Sequence, residues 1–328
     1  MTSPLRIAIV GHGNLGRGVE AALLKTTDAE LAGIYTRRDP ATVAPLTAGA
    51  IVRPLDALEG DADDIDVAIL CGGSRSDLPE QTPAIARFLP VVDSFDTHAR
   101  IPEHFEHVDA AARAGGNVAL ISAGWDPGLF SINRVYGEAL LPDGDTYTFW
   151  GRGLSQGHSD AIRRVPGVAA GIQYTHPVAA AVDAVRSGAR PELTTREKHT
   201  RECFVVLAEG ADADAVREAI VTMPDYFADY DTTVRFIDAD ELARDHAGMP
   251  HGGFVIRAAE TSDGTNQVVE YSLRLDSNPE LTASVLVAAA RAVARLQARG
   301  EAGAITLLDV PPALLSPRSA AELRRDLL

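Results

Sequence analysis

Three glycines, Gly11, Gly13 and Gly16, form G-x-G-x-x-G directly after the apolar run LRIAIV at residues 5–10. In this pattern the first glycine permits a tight turn, the second lets backbone approach a pyrophosphate, and the third lets a helix pack close to the strand. The intervening His12, Asn14 and Leu15 complete the turn. A phosphate placed there meets N–H groups at the positive end of a helix dipole. At the end of the second strand of such a unit, about 20 residues on, an acid ordinarily holds the ribose 2′-hydroxyl. This chain carries Thr36, Arg37 and Arg38 instead. Guanidinium groups pair with phosphate through two hydrogen bonds, so the position favours a 2′-phosphate and hence NADP(H) over NAD(H). The alternative is a solvated basic pair opening a loop. Asp39 is the nearby acid that would reach a ribose, but it lies beyond the arginines.

Other polar residues fall where strands of an open sheet should end. The turn CGGS supplies Gly72, Gly73 and Ser74 after the run DVAIL (66–70). The segment VVDSFDTH places Asp93 and Asp96 just past a strand at 90–95, with Ser94 and Phe95 between them. LISAGWDPG places Ala123, Gly124, Trp125 and Asp126 at the end of a strand at 117–124. Ligands of such sheets bind at these carboxyl ends, so both acid-bearing segments are expected to open onto the nicotinamide side. Carboxylates there suit an ammonium group. Asp126 has an equal alternative as the cap of a helix beginning near Pro127.

The elements needed to position these residues are legible as a rhythm. Strands near 5–10, 31–35, 66–70, 90–95 and 117–124 alternate with helices near 14–25, 78–88 and 101–115. That order predicts parallel βαβ units in a Rossmann-type, doubly wound sheet over residues 1–124. After Trp125 the runs lengthen and alternate: 146–151, 202–210, 253–260 and 266–276. These predict an α+β second domain over 125–301, built on an open, mostly antiparallel sheet. Helices are expected at 128–141, 178–187, 212–222 and 279–299, the last ending at Arg299–Gly300. The apolar tail 302–328 is expected to pack back on the first domain. With Lys+Arg 30 against Asp+Glu 46, the net charge of −16 disfavours nucleic acid and anionic membrane surfaces. Two cysteines, Cys71 and Cys203, do not make a secreted disulfide scaffold, and the chain is expected in a reducing cytoplasm. No HxxxH or CxxC occurs, so no metal site is expected.

GHGNLGR, SAGWDPGLFSINRVY, TFWGRGLSQGHSDAIRRVPGV, MPDYF and GMPHGGFV together resemble the meso-diaminopimelate dehydrogenases, in the same order along the whole chain to LLSP (314–317). The resemblance implies reversible NADP-dependent oxidative deamination at the D-centre of meso-2,6-diaminopimelate. The product would be L-2-amino-6-oxopimelate, which cyclises to tetrahydrodipicolinate, in bacterial lysine and diaminopimelate biosynthesis. It also implies a homodimer. Carried over residue by residue, substrate contacts fall on Asp96, Asp126, Trp150, Gln156, Gly157, Thr175, Arg201, His251 and Asn278. Cofactor contacts fall on the fingerprint, on Thr36, Arg37 and Arg38, on Gly72–Ser74, on Ser94 and Phe95, and on Ala123 and Gly124. The chain departs from the family pattern at His12, where Tyr is common, and at CGGS, where Met often follows the Cys.

In that frame Asp96 and Asp126 hold the ammonium at the reacting carbon, and either one, or a water they orient, takes its proton. Arg201, Thr175 and His251 hold the distal carboxylate, and Trp150 walls the site. Plainer roles stay open: Trp150 as core, His251 as a turn residue, Arg201 in a surface ion pair with Glu202, and His158 ordering its loop. Cys71 and Cys203 are expected as packing thiols. A related NADPH-dependent D-amino-acid dehydrogenase or an aspartate-pathway reductase is the competing enzyme class. A non-catalytic NADP(H)-sensing protein would be expected to lose the pocket charges that are present here.

Overall fold

A computed structural model describes residues 3–328. The chain begins β1 (Leu5–Val10), α1 (Asn14–Leu23), β2 (Ala29–Thr36), β3 (Val52–Pro54), β4 (Val67–Leu70), α2 (Leu78–Ile85), β5 (Val91–Asp93), α3 (Ile101–Gly115), β6 (Val118–Leu120) and α4 (Leu129–Leu140). It continues β7 (Gly144–Trp150), β8 (Gly153–Leu154), α5 (Gln156–Arg163), β9 (Val168–Pro177), α6 (Ala179–Arg186), α7 (Thr195–Lys198) and β10 (His199–Leu207). Then follow α8 (Ala213–Val221), β11 (Asp231–Phe236), α9 (Ala239–Asp245), β12 (His251–Ser262) and β13 (Thr265–Leu275). The chain closes with α10 (Asn278–Gln297), β14 (Gly303–Ile305), α11 (Pro312–Leu315) and α12 (Ala320–Leu327). Two compact units result: Met1–Ile132 with Pro279–Leu328, and Asn133–Asn278.

The first unit is the expected doubly wound parallel sheet, with strand order β14-β6-β5-β4-β1-β2-β3. Its central stretches, residues 7–10 of β1, 33–35 of β2 and all of β4, are continuously apolar and buried because both faces are covered. Ile7 and Ile9 face a cluster with Val19, Leu286 and Val293, whereas Ala8 and Val10 face one with Leu70, Phe95 and Val108. The two faces of β1 therefore bury in different clusters, and the apolar stripe of α1 (Val19, Leu23) packs with the Ile7 and Ile9 face.

The long Ala-rich helix α10 was expected in the second domain, which the sequence bounds at 125–301. From Pro279 onward it belongs to the first unit. Its alanines allow close approach: Ala283, Ala289 and Ala290 are wholly buried, and Gly18 of α1 lies where an added Cβ would be 3.0 Å from Ala283 Cβ. Arg291, only 9% exposed, donates to Asp28 at 2.6 and 2.9 Å and fixes α10 against the turn before β2. The tail supplies an edge strand, β14, parallel to β6.

The second unit contains two sheets where one was expected. One has the order β11-β10-β9-β8 and the other β13-β12-β7. Pairing is antiparallel except for β10 with β11, which α8 connects as a crossover. Each sheet has its own core, around Ile162, Cys203, Val205 and Phe227 in the first and around Tyr147, Phe149, Val185 and Ile256 in the second. Alternating patterns mark strands but not which strands pair, so the division into two sheets was not readable. Among the described residues no helix is long and apolar enough to cross a membrane.

The Arg291–Asp28 pair gives a stability prediction. Arg291 holds the Asp28 carboxyl below its ordinary value of 3.8, against an opposing effect of burial. A depressed carboxylate pKa contributes stability that is complete above the unfolded value and is lost as pH falls through the folded value. Asp28→Asn is expected to cost about 1–3 kcal/mol in denaturant unfolding at neutral pH, less than a fully buried pair because Asp28 is half-exposed. The gap between wild type and variant should close as pH drops below about 4.

Candidate functional site

In the first unit the fingerprint folds as its spacing requires. Gly11 takes φ +89° and donates its N–H to Tyr35 O at 2.8 Å. A Cβ on Gly16 would lie 2.1 Å from Gly11 O, while one on Gly13 would meet nothing within 4 Å. The turn is thus closed on the protein side at Gly16 and open at Gly13. Gly13 caps α1 without a side chain, and the first turn holds no acid, so the dipole end suits an anion.

Around this turn the residues expected at a 2′-phosphate are held in place. Thr36, 4% exposed, accepts from Arg38 N at 3.1 Å. The Arg38 guanidinium donates to His12 O at 2.8 Å, tying it to the fingerprint. Arg37 pairs with Asp77 at 2.7 Å, and the same carboxylate accepts from Gly73 N at 2.8 Å. Asp39 turns onto its own loop, where it accepts from Ala41 N at 3.0 Å. His12 is buried against Glu20, with Nε2 2.8 Å from its carboxylate. Glu20 also accepts from Thr47 N at 2.6 Å. Burial opposes ionisation of Glu20, but the backbone donors of Leu46 and Thr47 and the His12 bond together hold its carboxyl below the ordinary range. Glu20 and Asp77 were missed from sequence. Glu20 had one signal, an acid inside the apolar stretch GVEAAL.

The acid-bearing segments behave differently from each other. Ser74 Oγ accepts from Asp96 N at 2.9 Å, which joins the CGGS turn to the loop after β5, and Asp96 is exposed. Asp93 was expected beyond the strand and open to the ligand; it is instead the last residue of β5 and is wholly buried. Strand alternation turns its side chain inward, where it finds four donors. Phe95 is buried beneath the loop, with its ring stacked 4.1 Å from His104. Asp126 is half-buried in a tight turn, bridged between Trp125 and Gly128. Gly128 takes φ +128°, and a Cβ there would lie 1.9 Å from Gly124 O. The following helix starts at Leu129, so Asp126 does not occupy the capping position that a start at Pro127 would have given it. Ala123 and Gly124 are buried just before this turn, with Ala123 N donating to Asp93 O at 2.9 Å.

In the second unit the expected substrate residues gather where β7, β8, β9, β10 and β12 meet. Thr175 and Arg201 are register partners across β9 and β10, and the guanidinium donates to Thr175 Oγ1. Arg201 is 6% exposed and lies 3.9 Å over the Tyr230 ring, and its Nε has no hydrogen-bond partner. Burial lowers its pKa. Among the described residues no carboxylate lies within ion-pair distance of it. Glu202, the surface partner considered from sequence, pairs with Arg235 at 2.7 Å. Gly153 pairs with Thr175, and a Cβ on it would lie 2.5 Å from the His251 ring. His251 therefore lies beside the Arg201 cluster, and its Nδ1 accepts from Gly252 N at 2.8 Å. Asn278 N donates to Met249 O at 2.9 Å, next to this histidine in the chain.

Trp150 is 36% exposed, which removes the reading as core. Its N–H donates to His199 Nε2 at 2.9 Å, and the two rings lie 5.3 Å apart. Burial, and then the charges of Arg201 and Lys198, push His199 down to about 4. It is thus a neutral acceptor, a role that no motif signalled. Gly157 is exposed in the first turn of α5; the side chain of Gln156 lies outside the described residues. His158 bonds Ser155 at 2.8 Å and packs edge-on against Tyr226 and Phe227, which orders its loop. Burial, assisted by Arg201 and opposed by the Tyr226 backbone, pushes it down to about 4. Burial raises both thiols, Cys203 to about 12, so neither is a nucleophile near neutral pH. Among the described residues no group of three or more His, Cys, Asp or Glu could hold a metal.

A family model described as the diaminopimelic acid dehydrogenase C-terminal domain matches residues 124–277. A meso-diaminopimelate D-dehydrogenase from Lysinibacillus sphaericus is 60% identical, over 99% of this chain and 100% of its own. Among solved structures, a multiply substituted meso-diaminopimelate dehydrogenase from Clostridium tetani with DAP has TM-score 0.94 and 53% identity, covering 99% of this chain and 100% of its own. An engineered D-amino acid dehydrogenase bound to NADP+ has TM-score 0.86 and 46% identity, again over 99% and 100%.

The two buried imidazoles fix a pH dependence. With His158 and His199 at about 4 when folded and 6.5 as the ordinary value, the unfolded chain binds more protons between these limits. Stability therefore rises with pH across that window and is lost as pH falls through it. Calorimetry from pH 7 to about 4.5 should show a falling Tm, and His199→Gln should flatten the slope by about one proton. An unchanged slope would mean that His199 is not buried neutral.

Proposed function

The chain belongs to the diaminopimelate dehydrogenase family, and from that premise we infer that it catalyses reversible NADP-dependent oxidative deamination of meso-2,6-diaminopimelate. The D-centre is oxidised to give L-2-amino-6-oxopimelate, which cyclises to tetrahydrodipicolinate, and ammonia is released. The reaction belongs to lysine and diaminopimelate biosynthesis. The observation that carries the reading is Arg201: a buried guanidinium with no carboxylate counter-ion among the described residues. Such a charge is costly unless a ligand balances it, and a substrate carboxylate does so through two hydrogen bonds.

The residues present fit NADP. The open backbone at Gly13 and the uncapped start of α1 suit the pyrophosphate, and Thr36, Arg37 and Arg38 suit the 2′-phosphate. When bound, the cofactor supplies the acceptor for the hydride. The remaining work falls to side chains. Asp96 and Asp126 hold the ammonium at the reacting carbon, and one of them, or a water they orient, removes its proton so that a neutral amine is oxidised. Arg201, Thr175 and His251 hold the distal carboxylate. Gln156, Gly157 and Asn278 shape the site, and Trp150, fixed by His199, walls it. In the Clostridium tetani protein the replaced residue types run Gln, Thr, Arg, Pro, His, Asn. Gln156, Thr175, Arg201, Pro250, His251 and Asn278 here have the same intervals, which supports a role for these positions in substrate recognition and favours diaminopimelate over a generic D-amino acid.

A homodimer in the cytoplasm completes the reading. Val135, Tyr136 and Leu140 on α4 and Val268 and Val269 on β13 are large exposed apolar residues suited to a second copy. The cysteines are free, as a reducing compartment keeps them.

Purified protein with NADP+ and meso-diaminopimelate should produce NADPH at alkaline pH, followed by absorbance. Arg201→Met should raise KM for the substrate by about 10–100-fold, the loss of one charge-assisted pair, with NADP+ affinity unchanged. Absence of turnover in a protein that binds NADP+ would refute the assignment. For the cofactor, Arg37→Asp with Arg38→Ser should reduce the binding preference for NADP+ over NAD+ by about tenfold or more. An unchanged ratio in titration calorimetry would return the pair to the surface.

A further inference from the structure

The ladder between β5 and β6 ends early. Its last registered pair is Val92 with Leu120. Beyond that point both strand ends run into the loops that carry Asp96 and Asp126, and Asp93 takes over the connection. Its main-chain oxygen accepts from Ala123 N at 2.9 Å. Its Oδ1 accepts from Ser122 N at 2.8 Å and from Phe95 N at 3.0 Å. Oδ2 accepts from Thr82 Oγ1 at 2.8 Å and lies 2.7 Å from His104 Nε2. An acceptor-only carboxylate thus meets four donors from α2, α3 and the two loops, in a site where Asp93 is 0% and His104 4% exposed.

One oxygen therefore sets the distance between the backbones leading to the two acids. Ser122 is held by it at φ 55°, a conformation that a non-glycine residue keeps only under external constraint. His104 braces the same loop a second way, through its ring stacked on Phe95.

We propose that Asp93, braced by His104, is a positioning residue of the reaction: it fixes the spacing of the Asp96 and Asp126 loops and touches neither substrate nor cofactor. The proposal rests on Asp96 and Asp126 acting at the reacting centre. Catalysis tolerates misplacement poorly; a shift of about 1 Å can cost on the order of a hundredfold.

The test uses the full-length protein as Asp93→Asn, His104→Phe, Asp96→Asn and Asp126→Asn. Asparagine keeps an acceptor for the two backbone N–H groups, and phenylalanine keeps the stack on Phe95. NADP+ binding is measured by titration, and kcat is expressed per NADP+-binding site so that unfolded protein is not counted. A positioning role predicts that Asp93→Asn lowers kcat on the order of tenfold to a hundredfold. Its KM for NADP+ should change far less than kcat, since the fingerprint and the arginine pair, which carry the phosphates, do not depend on Asp93 and only the backbone of Phe95 and Ala123 does. His104→Phe should lower kcat in the same way but less. If Asp96→Asn and Asp126→Asn are impaired while folded Asp93→Asn keeps wild-type kcat, the proposal is wrong and the catalytic reading stands. If neither Asp96→Asn nor Asp126→Asn is impaired, the catalytic reading itself fails and takes this one with it. Should Asp93→Asn not fold, His104→Phe decides alone: a wild-type kcat overturns the proposal, and a reduced kcat with unchanged KM for NADP+ supports it.

Discussion

Arg201 is buried, stacked on Tyr230 and bonded to Thr175, with no carboxylate to balance it among the described residues. A guanidinium removed from water without a counter-charge is expensive, and much around it limits that expense. The β9–β10 register puts Thr175 opposite it. The tyrosine ring offers its negative face. Two of the nearby imidazoles, His158 and His199, are held neutral, so they add no repulsion. A guanidinium held this way leaves its charge unbalanced among the described residues, which is the basis for proposing that it receives a carboxylate.

The first unit treats buried charge in the opposite manner. Glu20 and Asp93 are both wholly buried, and each is surrounded by donors. Glu20 gathers His12 and the backbone near Thr47; Asp93 gathers Thr82, His104, Phe95 and Ser122. These acids are satisfied internally, so they fix loops and attract no ligand. Asp96 is exposed and Asp126 half-buried, and these are the two acids proposed to meet the ammonium. Burial separates these structural carboxylates from the acids proposed for chemistry, although all are Asp or Glu.

The glycine fingerprint was legible because two of its glycines answer a local steric demand that no other residue meets, positive φ at Gly11 and a 2.1 Å contact at Gly16, while Gly13 leaves the turn open. The arginine pair is marked in the chain by its position after β2, and its role at a 2′-phosphate is proposed. Asp77, which seats Arg37, was not, because it arrives from another strand end, 40 residues away in sequence. His199 was equally hidden: its value lies in a bond to the Trp150 backbone across 49 residues. Asp93 was misplaced, since its approach to the site was inferred from the chain direction of a strand whose last side chain turns inward.

The sequence by itself determined the parallel first sheet, the cofactor turn and its preference for a 2′-phosphate, and the family motifs with their residue types. These depend on period, on glycine sterics and on charge, all carried by neighbours in the chain. Only the tertiary structure decided that α10 packs into the first unit, that the second unit divides into two sheets, and which acids are buried and paired. Those outcomes depend on which surfaces meet and on which donors reach a given oxygen, and contacts across 29 or 179 residues, as from Asp93 to Ser122 or Val118 to Gln297, leave no periodic trace in the chain.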